Sequence, residues 1–243
     1  MDFTLTKYRE LLSALRNYGD VTLRHDVDLK PQNSLRTARI EKELGWKATY
    51  YFRAVPESWD DNIILEIASL GHEIGYHYES LTTCDGNLEA AYQDFCQNLE
   101  KLRALVPVSS ICMHGSPKSK WDSRDLWKHY DYHALGISFE PYLDTDFSKC
   151  FYLTDTGRLW DGFKVSIRDK IPVYQEEWVQ KGWVYHSTND IIKAIGEGSL
   201  PKCLMITTHP QRWTDNAVAW LKELTSQTIK NAVKRVIVAK KNR

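Results

Sequence analysis

Apolar positions along this chain recur with two periods, and the two alternate. Between residues 6 and 17, Leu11, Leu12, Ala14 and Leu15 fall at helical spacing, with Gly19 as the stop. Residues 21–28 then read as a first strand. Pro31 sits in the first turn of a helix that runs to Leu44 and closes at Gly45. Ala48-Thr49-Tyr50-Tyr51-Phe52 is aromatic and β-branched, which predicts a second strand. Asp60-Asp61 opens a helix carrying Ile63, Ile64, Ile67 and Leu70, and Gly71 closes it before a third strand over residues 72–77.

Residues 87–106 form the clearest amphipathic helix, with Leu88, Ala91, Tyr92, Phe95, Leu99 and Leu102 on one stripe and Pro107 beyond it. A fourth strand is predicted over residues 109–113. Residues 121–163 give no single period, and short strands are expected around 134–139. A strand over 165–169, a short helix over 188–195 and a buried strand over 203–207 follow. A last helix over 216–234 ends in a basic tail, Lys240-Lys241-Asn242-Arg243. Strands that alternate with helices call for a mostly parallel sheet covered by helices. No linker or repeat interrupts the pattern, so residues 1–243 are expected to form a single domain.

In such folds ligands sit at the carboxyl ends of the strands. The polar clusters fall there: Asp26 and Asp28, His77, His114 and His209. Asp26 and Asp28 are two apart, and positions i and i+2 of a strand share a side. Two bare carboxylates in one site repel, whereas a divalent cation at one of them leaves the other free as a general base. The plain alternative is a solvated loop pair, or a helix cap before Pro31. His25 points the other way and reads as a buried, hydrogen-bonded histidine. His77, His114 and His209 are each a ligand, an acid or a structural histidine. His72, His129, His133 and His186 have no such support.

Composition narrows the partners. Lys and Arg number 32 and so do Asp and Glu, so no global field draws the chain to nucleic acid. The basic residues from Lys234 to Arg243 read as a solvated helix end. The first residues lack the apolar stretch of a secretory signal, and no apolar run reaches the ~18–20 residues of a membrane span, so a cytoplasmic location is expected. Five cysteines, with no C-x-x-C pair, argue against a disulfide framework or a cysteine zinc site. Nine Trp and thirteen Tyr suit a sugar-binding cleft or simply a core, and the count does not choose.

These residues together resemble the polysaccharide deacetylases, the NodB-homology carbohydrate esterases (family 4-like), in the branch with an H-D-V-D first motif. Leu23-Arg24-His25-Asp26-Val27-Asp28 resembles that first motif, in which one Asp is the general base and the next a metal ligand. Gly71-His72-Glu73-Ile74-Gly75-Tyr76-His77 is similar to the second, G-H-E-I-G-x-H, whose last His binds metal. Asp155 through Trp160-Asp161 loosely resembles the fourth. Thr208-His209-Pro210 resembles the last, whose His is the general acid. The matches cover residues 20–212, with the helices over 4–18 and 216–234 as additions. The resemblance implies a distorted (β/α)-barrel of about seven parallel strands, a divalent metal, expected to be Zn²⁺, and a carbohydrate or glycoconjugate substrate. Asp26 is then the base, Asp28 and His77 are ligands, and His209 is the acid.

Three departures stand against the pattern. The second motif usually continues to a metal-binding His four residues on, and here that position is Leu81, reached through Tyr78-Glu79-Ser80. The third motif is usually R-x-P-Y, and here it is His114-Gly115-Ser116-Pro117. The first motif has a residue between its acids, so Asp26 as base and Asp28 as ligand is a choice. His114, arriving from the fourth strand, would restore an Asp-His-His set, with Glu79 as fallback. Substrate contacts are expected from Gly115, Ser116, Tyr78 and Trp160. The expected function is a metal-dependent hydrolase removing an N-acetyl or other N-acyl group from a sugar or glycoconjugate precursor. The alternatives are a catalytically degraded relative that binds a carbohydrate, favoured by Leu81, and a metal-independent relative acting on a cyclic amide or imide, disfavoured by Asp28 and His77.

Overall fold

The first strand, β1 (Asp20–Val27), starts exposed or half-buried and has its last five residues buried. That is how a strand at the centre of a parallel sheet is buried, covered on both faces. The structure is a computed structural model that describes residues 1–116, 119–161, 165–166 and 168–241, and side chains as far as residue 235. β1 pairs in parallel with β2 (Thr49–Phe52) on one side and β6 (Cys203–Thr208) on the other. β3 (Glu73–Tyr78) and β4 (Ile111–Met113) continue beyond β2, and β5 (Phe151–Thr154) lies beyond β6.

The resulting order is β4-β3-β2-β1-β6-β5. Each strand lies beside its sequence neighbours except at one seam, and the last strand lies beside the first. This is the cyclic order of a (β/α)-barrel opened between β4 and β5. Among the described residues the sheet has six strands, where about seven were expected. The place of a seventh is taken by a single parallel bridge between Ser110 and Phe139, where the Ile111 N–H donates to the Phe139 carbonyl at 3.0 Å. The strands expected around 134–139 are otherwise replaced by a tight 3-10 turn, His133–Leu135, closed by Gly136 at φ 72°. The strand expected over 165–169 is a turn and a bend at its described residues, and residue 167 lies outside them, as does Pro117.

Helices cover the sheet through the faces their periodicity predicts. In α1 (Leu5–Leu15), Tyr8, Leu11, Leu12 and Leu15 are buried, and the Thr4 side chain caps the first turn. α2 (Pro31–Glu43) begins on Pro31, and Gly45 beyond it has a φ of 77° that other residues rarely adopt. α3 (Asp61–Ser69) buries Ile63, Ile64 and Ile67 behind an Asp60 cap. After the one-turn α4 (Ser80–Thr83), α5 (Leu88–Arg103) buries Ala91, Phe95, Leu99 and Leu102 behind an Asn87 cap. Further along come α6 (Pro141–Asp144), α7 (Pro172–Gln180), α8 (Thr188–Gly196), and α9 (Ala217–Lys241). One apolar core runs through all the layers, from Phe3 to Trp213. Among the described residues no helix is long and apolar enough to cross a membrane.

Two buried details fix the strands that carry the polar ends. Gly75 on β3 lies under the Tyr51 ring, and any Cβ there would come within 2.4 Å of it. His25 is fully buried, with Nδ1 2.7 Å from Thr208 Oγ1 and Nε2 2.6 Å from Glu41. The Glu41 carboxylate also accepts from the Tyr8 and Tyr50 hydroxyls at 2.5 and 2.6 Å. The network ties α1, α2, β1, β2 and β6 together below the carboxyl ends of the strands. His25 is therefore the structural histidine its strand parity predicts.

Candidate functional site

Because the strands are parallel, their carboxyl ends share one side of the sheet. β1 delivers Arg24, Asp26 and Asp28 to one face, since alternate positions share a side. The Arg24 guanidinium is 1% exposed and lies over the Tyr142 ring, 4.8 Å from its centroid. Its Nη2 donates to Asp26 Oδ2 at 3.2 Å and to the Tyr142 hydroxyl at 3.1 Å.

His77 comes from β3 and His114 from just beyond β4. His77 Nδ1 faces the Cys112 carbonyl at 2.9 Å and must donate to it, which leaves Nε2 with its lone pair. Burial, outweighing the attraction of Asp26, pushes the His77 imidazole down to about 4, so it is neutral at ordinary pH. His114 Nδ1 donates to Glu79 Oε2 at 2.8 Å. Glu79 accepts in turn from Arg53 Nε and Nη2 at 2.9 and 2.6 Å, and Arg53 Nη1 donates to the Asp28 carbonyl at 3.3 Å. Burial raises the Glu79 carboxyl, but His114 and Arg53 overcome it and hold it at about 2.

Both free Nε2 atoms converge on Asp28. Its Oδ1 lies 3.7 Å from His77 Nε2 and 3.5 Å from His114 Nε2. That oxygen is buried and has no hydrogen-bond partner, while Oδ2 accepts from Gln211 at 3.2 Å. A buried carboxylate oxygen without a partner is costly. One carboxylate and two imidazoles, with ligand atoms within 4.8 Å of one another, form a group of metal-ligating type. Oδ1 is the atom that a cation in the triangle would satisfy. Asp26, His77 and Cys112 form a second such group, but burial raises the Cys112 thiol far above its usual range, which disfavours the thiolate.

His209 follows β6. Its Nδ1 lies 2.6 Å from Asp155 Oδ1, its backbone N–H donates to the same carboxylate at 3.0 Å, and its Nε2 is 3.8 Å from Asp28 Oδ2. Asp155 is wholly buried and also accepts from Arg212 Nη1 at 2.7 Å and Trp213 Nε1 at 2.7 Å. Burial and Arg212 pull the His209 imidazolium down, yet Asp155 more than offsets them, and its pKa stands above the ordinary value. Asp169 closes the far wall, accepting from Tyr142 at 2.9 Å, Thr154 at 2.8 Å, and from the Tyr152 and Thr156 hydroxyls.

These ends surround a cavity of about 120 Å³ whose lining includes Asp26, Asp28, His77, His114, Gly115 and His209. Of the residues the sequence marked, those six meet in one place. Ser116 does not line the cavity, and its carbonyl accepts from Arg168 at 2.6 Å. Tyr78 is fully buried, with its hydroxyl taking the Trp127 indole N–H at 2.8 Å. Trp160 packs in the core against Phe3 and Trp213 and donates to Thr188. Glu79, the fallback ligand, backs His114 rather than facing the cavity. Arg24, Asp169, Arg212 and Lys234 are site residues that the sequence reading does not mark, and Asp155 is marked there only by motif resemblance, without a role; Arg24 was open to discovery, being two residues before Asp26 on the same strand.

Leu81 is 2% exposed and belongs to the core, because β3 runs on to Tyr78 and α4 then turns away from the cavity. A histidine there would be desolvated without a partner. Leu81→His is expected to lower stability by about 2–4 kcal/mol in denaturant unfolding and to add no metal stoichiometry. A stable variant holding more metal would contradict this placement.

No family model and no curated protein matches the chain. Among solved structures, it is similar to BA3943, a CE4 family pseudoenzyme from Bacillus anthracis, at 13% identity and a TM-score of 0.43, over 88% of this chain and 62% of that one. A BA3943 mutant gives 14% identity and 0.43 over 88% and 64%, so the chain spans less than two thirds of that protein. Bacillus subtilis PdaA, a family 4 carbohydrate esterase, gives 14% identity and 0.41 over 91% of this chain and 84% of that one. These likenesses are distant in sequence and in shape, and what the site can do follows from its own atoms.

Proposed function

We propose that this chain is a metal-dependent hydrolase that removes an N-acetyl or other N-acyl group from a sugar or glycoconjugate. One observation carries the reading: the partnerless, buried Asp28 Oδ1 faces the Nε2 atoms of both His77 and His114. Two imidazoles and a carboxylate fit a catalytic Zn²⁺ site that keeps an open position. A divalent cation held by Asp28, His77 and His114 would supply Lewis acidity and lower the pKa of a water at the open position. Asp26, held by the Arg24 guanidinium at 3.2 Å, is placed as the general base toward an attacking water. His209 delivers a proton from Nε2 to the departing amine, and Asp155 fixes the tautomer that makes this possible. The sugar and the N-acyl group come from the motif resemblance, which the chemistry of the site supports.

Glu79 acts through His114. Removing a carboxylate that orients a ligating histidine typically costs 10–100-fold in metal affinity. Glu79→Ala is therefore expected to weaken zinc binding by about that factor in competition with a chromophoric chelator. Unchanged affinity would remove Glu79 from the account.

The test of the function is acetate release from a panel of N-acetyl sugars. Release that a chelator abolishes and zinc restores is expected. Tight carbohydrate binding with no release, indifferent to Asp26→Asn, would favour a catalytically degraded carbohydrate-binding protein instead.

A further inference from the structure

The C-terminal helix brings an uncommitted cation to the cavity. α9 is anchored beside the site: Asn231 Nδ2 donates to the Gly157 carbonyl at 2.8 Å, and Gln227 donates to Asn231 at 2.8 Å. Arg158 stacks on Trp220 at 4.8 Å and donates to its carbonyl. Gly157 has a φ of 74°, and a Cβ there would come within 2.9 Å of the Asn231 side chain, so the close approach of α9 needs glycine. Lys234 lies three residues beyond Asn231, on the same face, and lines the cavity. The tail expected to be a solvated helix end thus begins inside the site.

The other cations of the lining are engaged. Arg168 gives Nη1 to the Ser116 carbonyl and Nη2 to the Ser119 and Trp121 carbonyls, and Arg212 holds Asp155. Lys234 has no hydrogen bond or ion pair among the described residues. It is half-buried, and burial and Arg212 lower its pKa. The charges of the wall agree. Three carboxylates (Asp26, Asp28, Asp169) and, beside His209, three cations (Arg168, Arg212, Lys234) line the cavity. A divalent cation at Asp28 would leave the lining net positive, which favours an anionic ligand.

We infer that Lys234 forms an anion-binding subsite, so that the substrate is an N-acyl sugar carrying a phosphate or carboxylate group. The substrate class rests on the hydrolase reading, whereas the anion subsite can be tested without turnover. Inorganic phosphate is titrated calorimetrically into the zinc-loaded protein. Lys234→Met, which keeps a good helix former, is expected to weaken phosphate binding about tenfold, and Lys234→Arg to retain it. An equal Kd in Lys234→Met overturns the subsite. The substrate class is read from the ratio of kcat/KM for N-acetylglucosamine 1-phosphate to that for N-acetylglucosamine. The ratio is expected to exceed one in the native protein and to fall in Lys234→Met through KM, and a ratio that does not move overturns it. Phosphate binding that responds to Lys234 while no N-acyl sugar is hydrolysed sustains the subsite and rejects only the hydrolase reading.

Discussion

Asp28→Asn is expected to leave the fold in place and to remove the cation. Asp28 follows the end of β1, and its carboxylate supports no helix cap and no strand pairing. Its Oδ2 takes only Gln211 and its Oδ1 takes nothing. Asparagine is nearly isosteric and keeps a carbonyl oxygen, but it loses the charge that attracts a divalent ion. The loss in zinc affinity is expected to exceed the 10–100-fold typical of residues that only support a ligand. Acetate release is expected to fall with it. Elemental analysis and circular dichroism on the same sample decide the matter. A variant that keeps one equivalent of zinc at native affinity would remove Asp28 from the ligand set.

The second large effect concerns His209. His209→Ala is expected to lower kcat by about 10²–10⁴-fold while leaving bound metal unchanged, because a positioned general acid contributes in that range. The pH profile adds a sharper readout. The imidazolium is the acid, and its pKa is raised above the ordinary 6.5. The active form is therefore full below the imidazolium's pKa and is lost as pH rises through it, which sets the alkaline limb. Burial and Arg212 oppose the shift and Asp155 produces it. Asp155→Asn removes the negative charge that raises the pKa and is expected to move the limb toward lower pH. An alkaline limb that stays in place would mean that another group donates the proton.

The first and third strands were legible because short rules determine them. Period-two alternation placed Asp26 and Asp28 on one face, opposite His25, and His25 is indeed engaged below the site by Glu41 and Thr208. The glycine before Tyr76 and His77 is demanded by the Tyr51 ring. Helix starts at Pro31, Asp60 and Asn87 were legible because capping is local chemistry. β5 was not, since Phe151-Tyr152-Leu153-Thr154 lies in a stretch where aromatic residues recur without a period. α7 was missed for a related reason, since Trp178 is its only buried residue and no apolar stripe marks it. Tyr78 and Trp160 have the composition of sugar-stacking residues, but three-dimensional packing assigns them to the core. Asp169 depends on contacts from distant segments, and nothing local distinguishes it from a loop acid, whereas Asp155 was marked only by its loose motif resemblance. Lys234 was hidden by its setting in a basic helix end, and only the anchoring of α9 on Gly157 turns it inward.

The central claim is that Asp28, His77 and His114 hold one divalent cation. An anomalous-scattering map at the zinc edge, from crystals of the zinc-loaded protein, tests it most directly. A single peak about 2.0–2.2 Å from Asp28 Oδ1, His77 Nε2 and His114 Nε2 is the predicted result. A zinc-loaded crystal with no peak there, or with its peak away from those three atoms, would contradict it.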